Sequence, residues 1–361
     1  MKTTNLIDVY NQAVATPMRF FSGFFQSPRK NFYTSQEVQL DIVRSEQDIS
    51  VAVQDLSVGY RLNSANIYTT KSFKPPAHKE AVAVEAFDLM NRMPGQHSFQ
   101  NPDFRANLIS IIFETVAKIE AKIRRSIELQ SAQVLQTGVA TLINELGQAV
   151  HTVDYKPKAS HFPTAGIAWS SGSSTKIADL HALIKVVNND GLSKVDQLIF
   201  GSDAIESFLS DPAVQARFDN RRIDLGTMSR MQPLGQGGEY RGTVEIGTSK
   251  LDVYTYSGTY KHPQTGVITE YMAPNKVIVR SSTGRLDATF GAIPNIGQLL
   301  GAGAPILPEL PGRMSNASGG MDLFTNAWLS DNGDTLWAGV GARPLMIPTA
   351  IDTFGCLTTG L

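Results

Sequence analysis

The sequence contains little of the chemistry that marks secreted proteins and metalloenzymes. Cys356 is the only cysteine among 361 residues, which excludes an intramolecular disulfide and a cysteine-rich zinc or iron–sulfur site. No window reaches the roughly 18 apolar residues of a transmembrane helix, and polar residues near the N-terminus interrupt the apolar core that a signal peptide needs. We therefore predict a soluble protein of a reducing compartment, without a membrane partner.

Neither sign of charge dominates. The chain has 32 Lys and Arg residues against 33 Asp and Glu residues, a formal net charge of −1. Such a balance provides no overall field to hold nucleic acid. A dedicated DNA-binding protein is therefore disfavoured.

Motifs of catalysis and of phosphate or metal binding are also missing. The six histidines are scattered and none forms HExxH, no serine lies in GxSxG, and the glycine-rich residues 235–238 lack the following Lys-Ser/Thr of a P-loop. We predict no catalytic, cofactor-binding or metal-binding residues and no cofactor. One alternative stays open, a hydrolase with a site in residues 291–320.

A long amphipathic helix is the clearest pattern that is present. Residues 101–103, Asn-Pro-Asp, are typical of a helix start, and Gly138 is typical of a helix end. Apolar residues recur between them at steps of three and four: Leu108, Ile112, Val116, Ile119, Ile123, Ile127 and Val134. The pattern predicts a helix over residues 102–137. Gln130 and Ser131 interrupt the heptad, which favours packing on a sheet over a coiled coil.

The segment before this helix has two parts. Residues 1–35 combine a local charge of +3 with a group of six aromatic residues from Phe20 to Tyr33, and two interpretations are open. They could be a terminal segment folded back on its own domain, or an arm whose aromatic side chains dock on a neighbouring subunit. Residues 36–85 alternate apolar and polar residues and predict a long two-stranded ribbon that needs a further surface to rest on.

The segment after the helix predicts a second domain. Residues 147–172 are rich in Pro, Gly and Ser, and helices are predicted from Ser174 or Thr175 to about Gly191, over 202–209 and over 211–222. Strands are predicted over 192–200, 244–246, 251–260, 267–272, 277–280 and 286–290. These helices and a mainly antiparallel sheet indicate an α+β unit. Residues 291–320 predict a long irregular crossing, and 328–361 predict strands that return beside the long helix.

The succession of these segments resembles the major capsid proteins of tailed bacteriophages, closest to the lambda-type family with the Hong Kong-type shell fold. Six stretches carry the resemblance, and it extends through nearly the whole chain. They are Arg19 to Phe25, Phe73 to Glu80, Asn101-Pro102-Asp103, Phe200 to Arg222, Val253 to Lys276, and Arg343 to Pro348.

The resemblance implies a division of the chain into named parts. It implies an N-terminal arm (1–35), an extended loop (36–85), a peripheral domain (86–159) with the long helix, an axial domain (160–325) and C-terminal strands (326–361) returning to the peripheral domain. In this family, axial domains surround the five- and six-fold axes of an icosahedral shell, while arms and extended loops overlap neighbours. The expected subunit contacts are Arg19, Phe20, Phe21, Phe24, Phe25, Phe73, Lys74, Arg221 and Arg222.

The function that the resemblance implies is structural. We expect pentamers and hexamers that form a head shell around double-stranded DNA, bound without sequence specificity. Portal, scaffold and, in some members, decoration proteins are the expected partners, with assembly in the host cytoplasm and a final location in the virion. The alternative with the same fold is the shell of a bacterial cargo compartment.

Overall fold

The computed structural model describes most of the chain. The described residues are 19–27, 38–43, 68–85, 104–144, 146–219, 237–293, 322–330 and 335–361. Four α-helices lie within them: α1 (Phe104–Thr137), α2 (Lys176–Gly191), α3 (Ser202–Leu209) and α4 (Pro212–Gln215). The strands in the first part of the chain are β1 (Val38–Val43), β2 (Tyr68–Phe73), β3 (His78–Glu85), β4 (Val139–Ile143), β5 (Ala149–Asp154), β6 (Gln197–Phe200), β7 (Phe218–Asp219), β8 (Gly238–Ile246) and β9 (Ser249–Tyr256). The remaining strands are β10 (Thr259–Lys261), β11 (Ile268–Glu270), β12 (Lys276–Arg280), β13 (Asp287–Phe290), β14 (Phe324–Leu329), β15 (Thr335–Ala342), β16 (Pro344–Ile347) and β17 (Phe354–Thr358).

The chain divides into two compact units, and α1 contributes residues to both. The first unit comprises Met1–Val38, Lys74–Gln130 and Ala288–Met346. The second comprises Gln39–Phe73, Ser131–Asp287 and Ile347–Leu361. The predicted mixture of helices and strands is confirmed.

The long helix predicted over residues 102–137 is confirmed as α1, Phe104–Thr137, while the predicted start at residues 101–103 lies outside the described residues. Its apolar stripe is buried as the periodicity requires: Ile112, Val116, Ile119, Ile123, Ile127 and Val134. The helix ends where the pattern places the end. Gly138 has φ +69°, and its N–H donates to Val134 O at 2.8 Å. A Cβ there would lie 2.4 Å from the Pro157 ring, so this position requires glycine for both conformation and space.

The first unit contains a three-stranded antiparallel sheet in the order β14-β15-β3. The register places Trp328 opposite Trp337 and Trp337 opposite Ala83. The neighbouring Val84 lies opposite Leu336 and is the one buried residue of β3. Strands β13 and β16 form a separate two-stranded sheet.

The second unit is built on a six-stranded sheet in the order β17-β12-β6-β9-β8-β7. The pair β6–β9 is parallel and the other neighbours are antiparallel. One face of the sheet packs against α2 and α3, with a core that includes Leu180, Leu198, Phe208, Val253 and Val277. Two-stranded hairpins β4–β5 and β10–β11 belong to the same unit, and β1 pairs with β2 as the predicted ribbon requires.

Two sequence-based details differ from the structure. The predicted helix over 211–222 is only the four residues of α4, and Phe218–Asp219 forms β7 instead. The predicted strand over 192–200 shortens to β6, because Leu192 adopts a left-handed conformation at the end of α2. Of the C-terminal strands, β17 forms the edge of the six-stranded sheet, pairing Cys356 with Ile278 of β12, whereas β15 pairs with β3 and β14 pairs with β15.

Candidate functional site

The described part of the arm is anchored to α1 by one buried carboxylate. Glu128 has no exposed surface, and its Oε1 accepts the N–H groups of Phe20 at 3.1 Å and Phe21 at 2.7 Å. Its Oε2 accepts the N–H of Ser22 at 2.9 Å. Hydrogen bonds to an ionised acceptor are stronger than neutral ones. The carboxylate therefore fixes the backbone of three successive arm residues to one turn of the helix.

A second contact fixes the other end of this segment, which we call the arm anchor (residues 19–27). The N–H of Ala288 donates to Gln26 O at 2.7 Å. Between the two ends, Ser22–Phe24 forms a short 3₁₀-helix. The backbone of the arm anchor is thus held to the first unit at both ends, by the Glu128 carboxylate at one end and by the Ala288 N–H at the other.

Phenylalanine rings fill the interior of the arm anchor. Phe20 and Phe21 meet edge to face with centroids 5.2 Å apart, and Phe24 lies 5.2 Å from Phe20 in the same geometry. Phe20, Phe21 and Phe25 are buried in this chain, and Phe24 is half-buried. Edge-to-face pairs stabilise such a cluster beyond the burial of their surface. For residues 19–27, the structure therefore has the arm folded back on its own unit, one of the two interpretations that the sequence left open.

Charged side chains flank the arm anchor. Arg124 of α1 lies 2.9 Å from Asp322 and 3.3 Å from Glu120, both of which are buried. Burial and the nearby charge of Arg124 lower the pKa of Arg19, while Asp322, Glu120 and Glu128 oppose that shift. The arm therefore enters the unit through a cluster of two arginines and three acids.

Arg343 makes a comparable attachment where the ribbon returns to the first unit. Its guanidinium donates to Ala292 O at 2.7 Å and to Pro75 O at 3.3 Å, and its own backbone oxygen accepts the N–H of Gly291 at 2.9 Å. Arg343 is buried, which lowers its pKa. Two of the stretches that carry the sequence resemblance, 73–80 and 343–348, are thus brought together here.

Strand β3 is further attached to α1 by polar contacts. Lys122 forms an ion pair with Glu80 at 2.8 Å. The imidazole Nε2 of His78 lies 3.3 Å from Ser126 Oγ and 3.5 Å from Gln130 Nε2. Gln130, which interrupts the apolar heptad, therefore occupies a position that faces a polar strand residue.

The remaining predicted contact residues lie elsewhere. Phe73 belongs to the second unit, where its ring lies 5.5 Å from that of Tyr155. Lys74 is exposed. Arg221 and Arg222 lie outside the described residues. The role of all nine residues as subunit contacts stays a prediction.

Stacked tryptophans form an aromatic surface on the first unit. The rings of Trp328 and Trp337 lie 6.3 Å apart and only 9° from parallel, and Trp328 remains 42% exposed. A Cβ added to Gly339 would lie 3.0 Å from the Trp328 ring, so the ring rests directly on the backbone of β15. Tryptophan is enriched at the energetic centres of protein interfaces.

An open groove of about 1030 Å³ lies in the second unit beside the start of α2. Its lining includes Trp169, Lys176 and Asp211, and the ammonium of Lys176 is engaged by Ser207 O. Within the described part of the chain, no group of three His, Cys, Asp or Glu residues could hold a metal ion. No helix in that part is long and apolar enough to cross a membrane. The predicted hydrolase site over 291–320 falls almost entirely outside the described residues.

Sequence reasoning missed the groups that anchor the arm. Glu128 contacts Phe21, and Asp322 contacts Arg124. Each pair joins segments more than 100 residues apart, which no local pattern reveals. Glu128 follows Ile127 by one residue and so lies about 100° around the helix from the apolar stripe. The period of the stripe therefore gives no sign that Glu128 is buried.

Comparisons with known proteins place this geometry in context. A model of the family described as phage major capsid protein E matches residues 2–358. No curated protein sequence is significantly similar to the chain. A structure assigned as the capsid protein of a prophage from E. coli CFT073 is similar over 99% of both chains, with 15% identity and a TM-score of 0.65.

Two further structures are more distant. The capsid of Ralstonia phage GP4 has 12% identity and a TM-score of 0.46 over 93% of this chain and 83% of its own. A virus-like particle from Pyrococcus furiosus has 12% identity and a TM-score of 0.44 over 98% of both chains. The E. coli structure establishes the fold, and the predicted Hong Kong-type capsid fold is confirmed.

Proposed function

This chain belongs to the phage major capsid protein E family, and from that membership we propose that it assembles into pentamers and hexamers of an icosahedral head shell around double-stranded DNA. As a major capsid protein it associates with copies of itself and resides in the virion. Its role is structural. We propose that assembly takes place in the host cytoplasm with portal and scaffold proteins, and that the packaged DNA is enclosed without sequence-specific contacts.

The observation that carries this proposal is the match of the family model to nearly the whole chain, residues 2–358. The geometry supports it at two points. The arm is fastened at residues 19–27 by Glu128, and the ribbon return is fastened at Pro75 by Arg343. Segments attached at one end to a stable unit can extend interfaces between subunits without a larger core.

We further propose the division of labour that the resemblance implies. The first unit corresponds best to a peripheral domain, because it contains most of α1 and the sheet β14-β15-β3. The second unit corresponds best to an axial domain with β17 added to its sheet, together with strand β2 of the extended loop. Arg19, Lys74, Arg221 and Arg222 remain the charged candidates for subunit contacts.

The direct test is electron microscopy of the chain produced with its assembly partners. We expect closed shells or capsomer rings of uniform size. A subunit that stays monomeric at high concentration, with and without those partners, would contradict the proposal. Particles that contain an enzyme instead of DNA would indicate a cargo compartment.

A further inference from the structure

The most exposed apolar side chains of the described residues lie on two hairpins of the second unit. Leu146 is 73% exposed and Val150 69%, and both belong to the β4–β5 hairpin. Val267 is 61% exposed and Ile268 73%, and both belong to the β10–β11 hairpin. Among the other described large apolar residues, none is more than 51% exposed. We call these four side chains the hairpin-tip patch.

The two hairpin turns touch. A Cβ added to Gly147, at the β4–β5 turn, would lie 2.2 Å from the side-chain oxygen of Gln264, at the β10–β11 turn. Gly147 also has φ +78°, a backbone conformation that favours glycine at this turn. The turns therefore form one surface within the second unit.

Hydrogen bonds hold both turns in place. In the first turn, Asn144 Oδ1 accepts the N–H groups of Leu146 at 3.0 Å and Gln148 at 2.9 Å. In the second turn, the N–H of His262 donates to Val267 O at 2.8 Å, and the N–H of Gly266 donates to His262 O at 2.9 Å. The apolar side chains are thus presented outward from ordered backbone, which lowers the entropy that a binding partner would have to overcome.

The apolar character of the hairpin-tip patch indicates what kind of partner it binds. The described residues at 144, 146–150 and 262–269 carry no Lys, Arg, Asp or Glu, and the exposed Lys261 lies at the edge of the patch, opposite Ile268. A single lysine provides little hold on phosphate groups. Contiguous exposed apolar side chains mark protein interaction sites. A largely apolar protein surface therefore fits the patch better than packaged DNA does.

The size of the patch limits the kind of protein contact that it can form. Four side chains of this kind, at their exposed fractions, provide roughly 300 Å² of apolar surface, whereas a stable two-protein interface buries about 800 Å² per partner. The patch alone is too small to hold a dimer. It suits one contact that is repeated around a closed ring and acts together with others.

We propose that the hairpin-tip patch is an interface with a second copy of this chain, formed in assembled capsomers. The inference rests on the proposed function, because only a self-assembling shell supplies a neighbouring copy to every patch. Each subunit then covers the apolar tips of another, and the isolated subunit leaves them exposed.

The test replaces Val150 and Ile268 by Thr in one variant. Threonine keeps the branching that suits a strand but removes the apolar character of the tip. We expect circular dichroism and thermal unfolding of the free subunit to be unchanged, while the concentration needed for particle formation rises on the order of tenfold. Ile167→Thr is the matched control, because Ile167 is 45% exposed outside the patch and its loss should leave particle formation unchanged.

A photo-crosslinking amino acid at position 268 identifies the partner. We expect a crosslink to a second copy of the chain in assembled particles and none in the free subunit. Normal assembly of the double Thr variant, or crosslinking to a different protein, would overturn the inference. If the unaltered chain forms no shells at all, the proposed function fails. If the unaltered chain and the double Thr variant form shells equally well, only this inference fails.

Discussion

Glu128 holds the arm through three hydrogen bonds that depend on both of its oxygens. Replacing Glu128 by Gln preserves the size of the side chain but puts an NH₂ donor where one oxygen accepted backbone N–H. A buried N–H without an acceptor costs about 1–3 kcal/mol, and the charge-assisted bonds are lost as well. We therefore expect Glu128→Gln to lower the free energy of unfolding by roughly 2–4 kcal/mol, measured by urea denaturation of the unassembled subunit.

A second acid on the same helix is the matched control. Glu114 forms an i,i+4 ion pair with Lys118, and both side chains are well exposed. Exposed pairs of this kind contribute little, so Glu114→Gln should change the free energy of unfolding by less than about 0.5 kcal/mol. Equal effects of the two substitutions would contradict the role given to Glu128.

Asp190 makes the folding stability of the second unit depend on pH. The buried His161 places Nε2 3.0 Å from Asp190 Oδ2, and Lys158 lies 3.1 Å from the same oxygen. Burial opposes the charge on Asp190, but the hydrogen bonds from His161 and Lys158 outweigh it, so the pKa of Asp190 lies below its ordinary value of 3.8. A lowered pKa in the folded state means that the ionised form stabilises folding above the unfolded value, and that this stability is lost as the pH falls through the folded value.

We therefore expect Asp190→Asn to lower the melting temperature at pH 7. The deficit relative to the unaltered protein should begin to shrink as the pH falls below about 4 and should continue to shrink through the lower pKa of folded Asp190, where its carboxyl becomes neutral. Thermal unfolding of the free subunit from pH 7 to pH 3 measures this difference. Glu245→Gln, at an exposed position of β8, is the control; a deficit that stays constant with pH would count against the charge of Asp190 as the cause.

The start of α3 packs so closely that its preceding residue must be glycine. A Cβ at Gly201 would lie 2.3 Å from Ala273 O and 2.6 Å from Pro274 O, and these backbone atoms cannot rotate away. Such overpacking costs about 1–3 kcal/mol. Gly201→Ala should lower the free energy of unfolding by that amount, measured by denaturation. Gly172→Ala should be nearly neutral, because no atom lies within 4 Å of its Cβ position.

The elements that sequence predicted best are those whose own residues decide their structure. Helix α1 follows from its apolar period, and the Asp211-Pro212 start of α4 follows from a cap in which Asp211 accepts the N–H of Ala213 at 2.8 Å. Local patterns could not fix how strands pair. The sequence of Phe354–Thr358 predicts a buried strand but does not predict its partner. Only tertiary packing places this strand beside β12.

The candidate contacts were harder to predict for the same reason. The aromatic residues of the arm were recognised, yet their composition suits burial within one chain and docking on another equally well. What decides between them for Phe20 and Phe21 is Glu128, about 100 residues away in the sequence. A long-range partner of this kind has no signature in the local pattern of either segment.

The arm therefore divides into two parts that a truncation can separate. A chain that begins at residue 19 keeps the arm anchor, so its circular dichroism and free energy of unfolding should match those of the full chain within about 0.5 kcal/mol. We expect it to form far fewer closed particles, because the proposed function assigns the arm to contacts with a neighbouring subunit. Particle yield by electron microscopy and light scattering measures this loss.

A chain that begins at residue 28 is the informative contrast. It loses the buried rings of Phe20, Phe21 and Phe25 and leaves Glu128 without its three backbone donors. Removing one buried phenylalanine ring alone costs about 3–5 kcal/mol, so this subunit should aggregate or unfold. If the chain beginning at residue 19 instead forms particles at full yield, the arm before the anchor has no part in assembly, and subunit contacts must be sought on the two folded units.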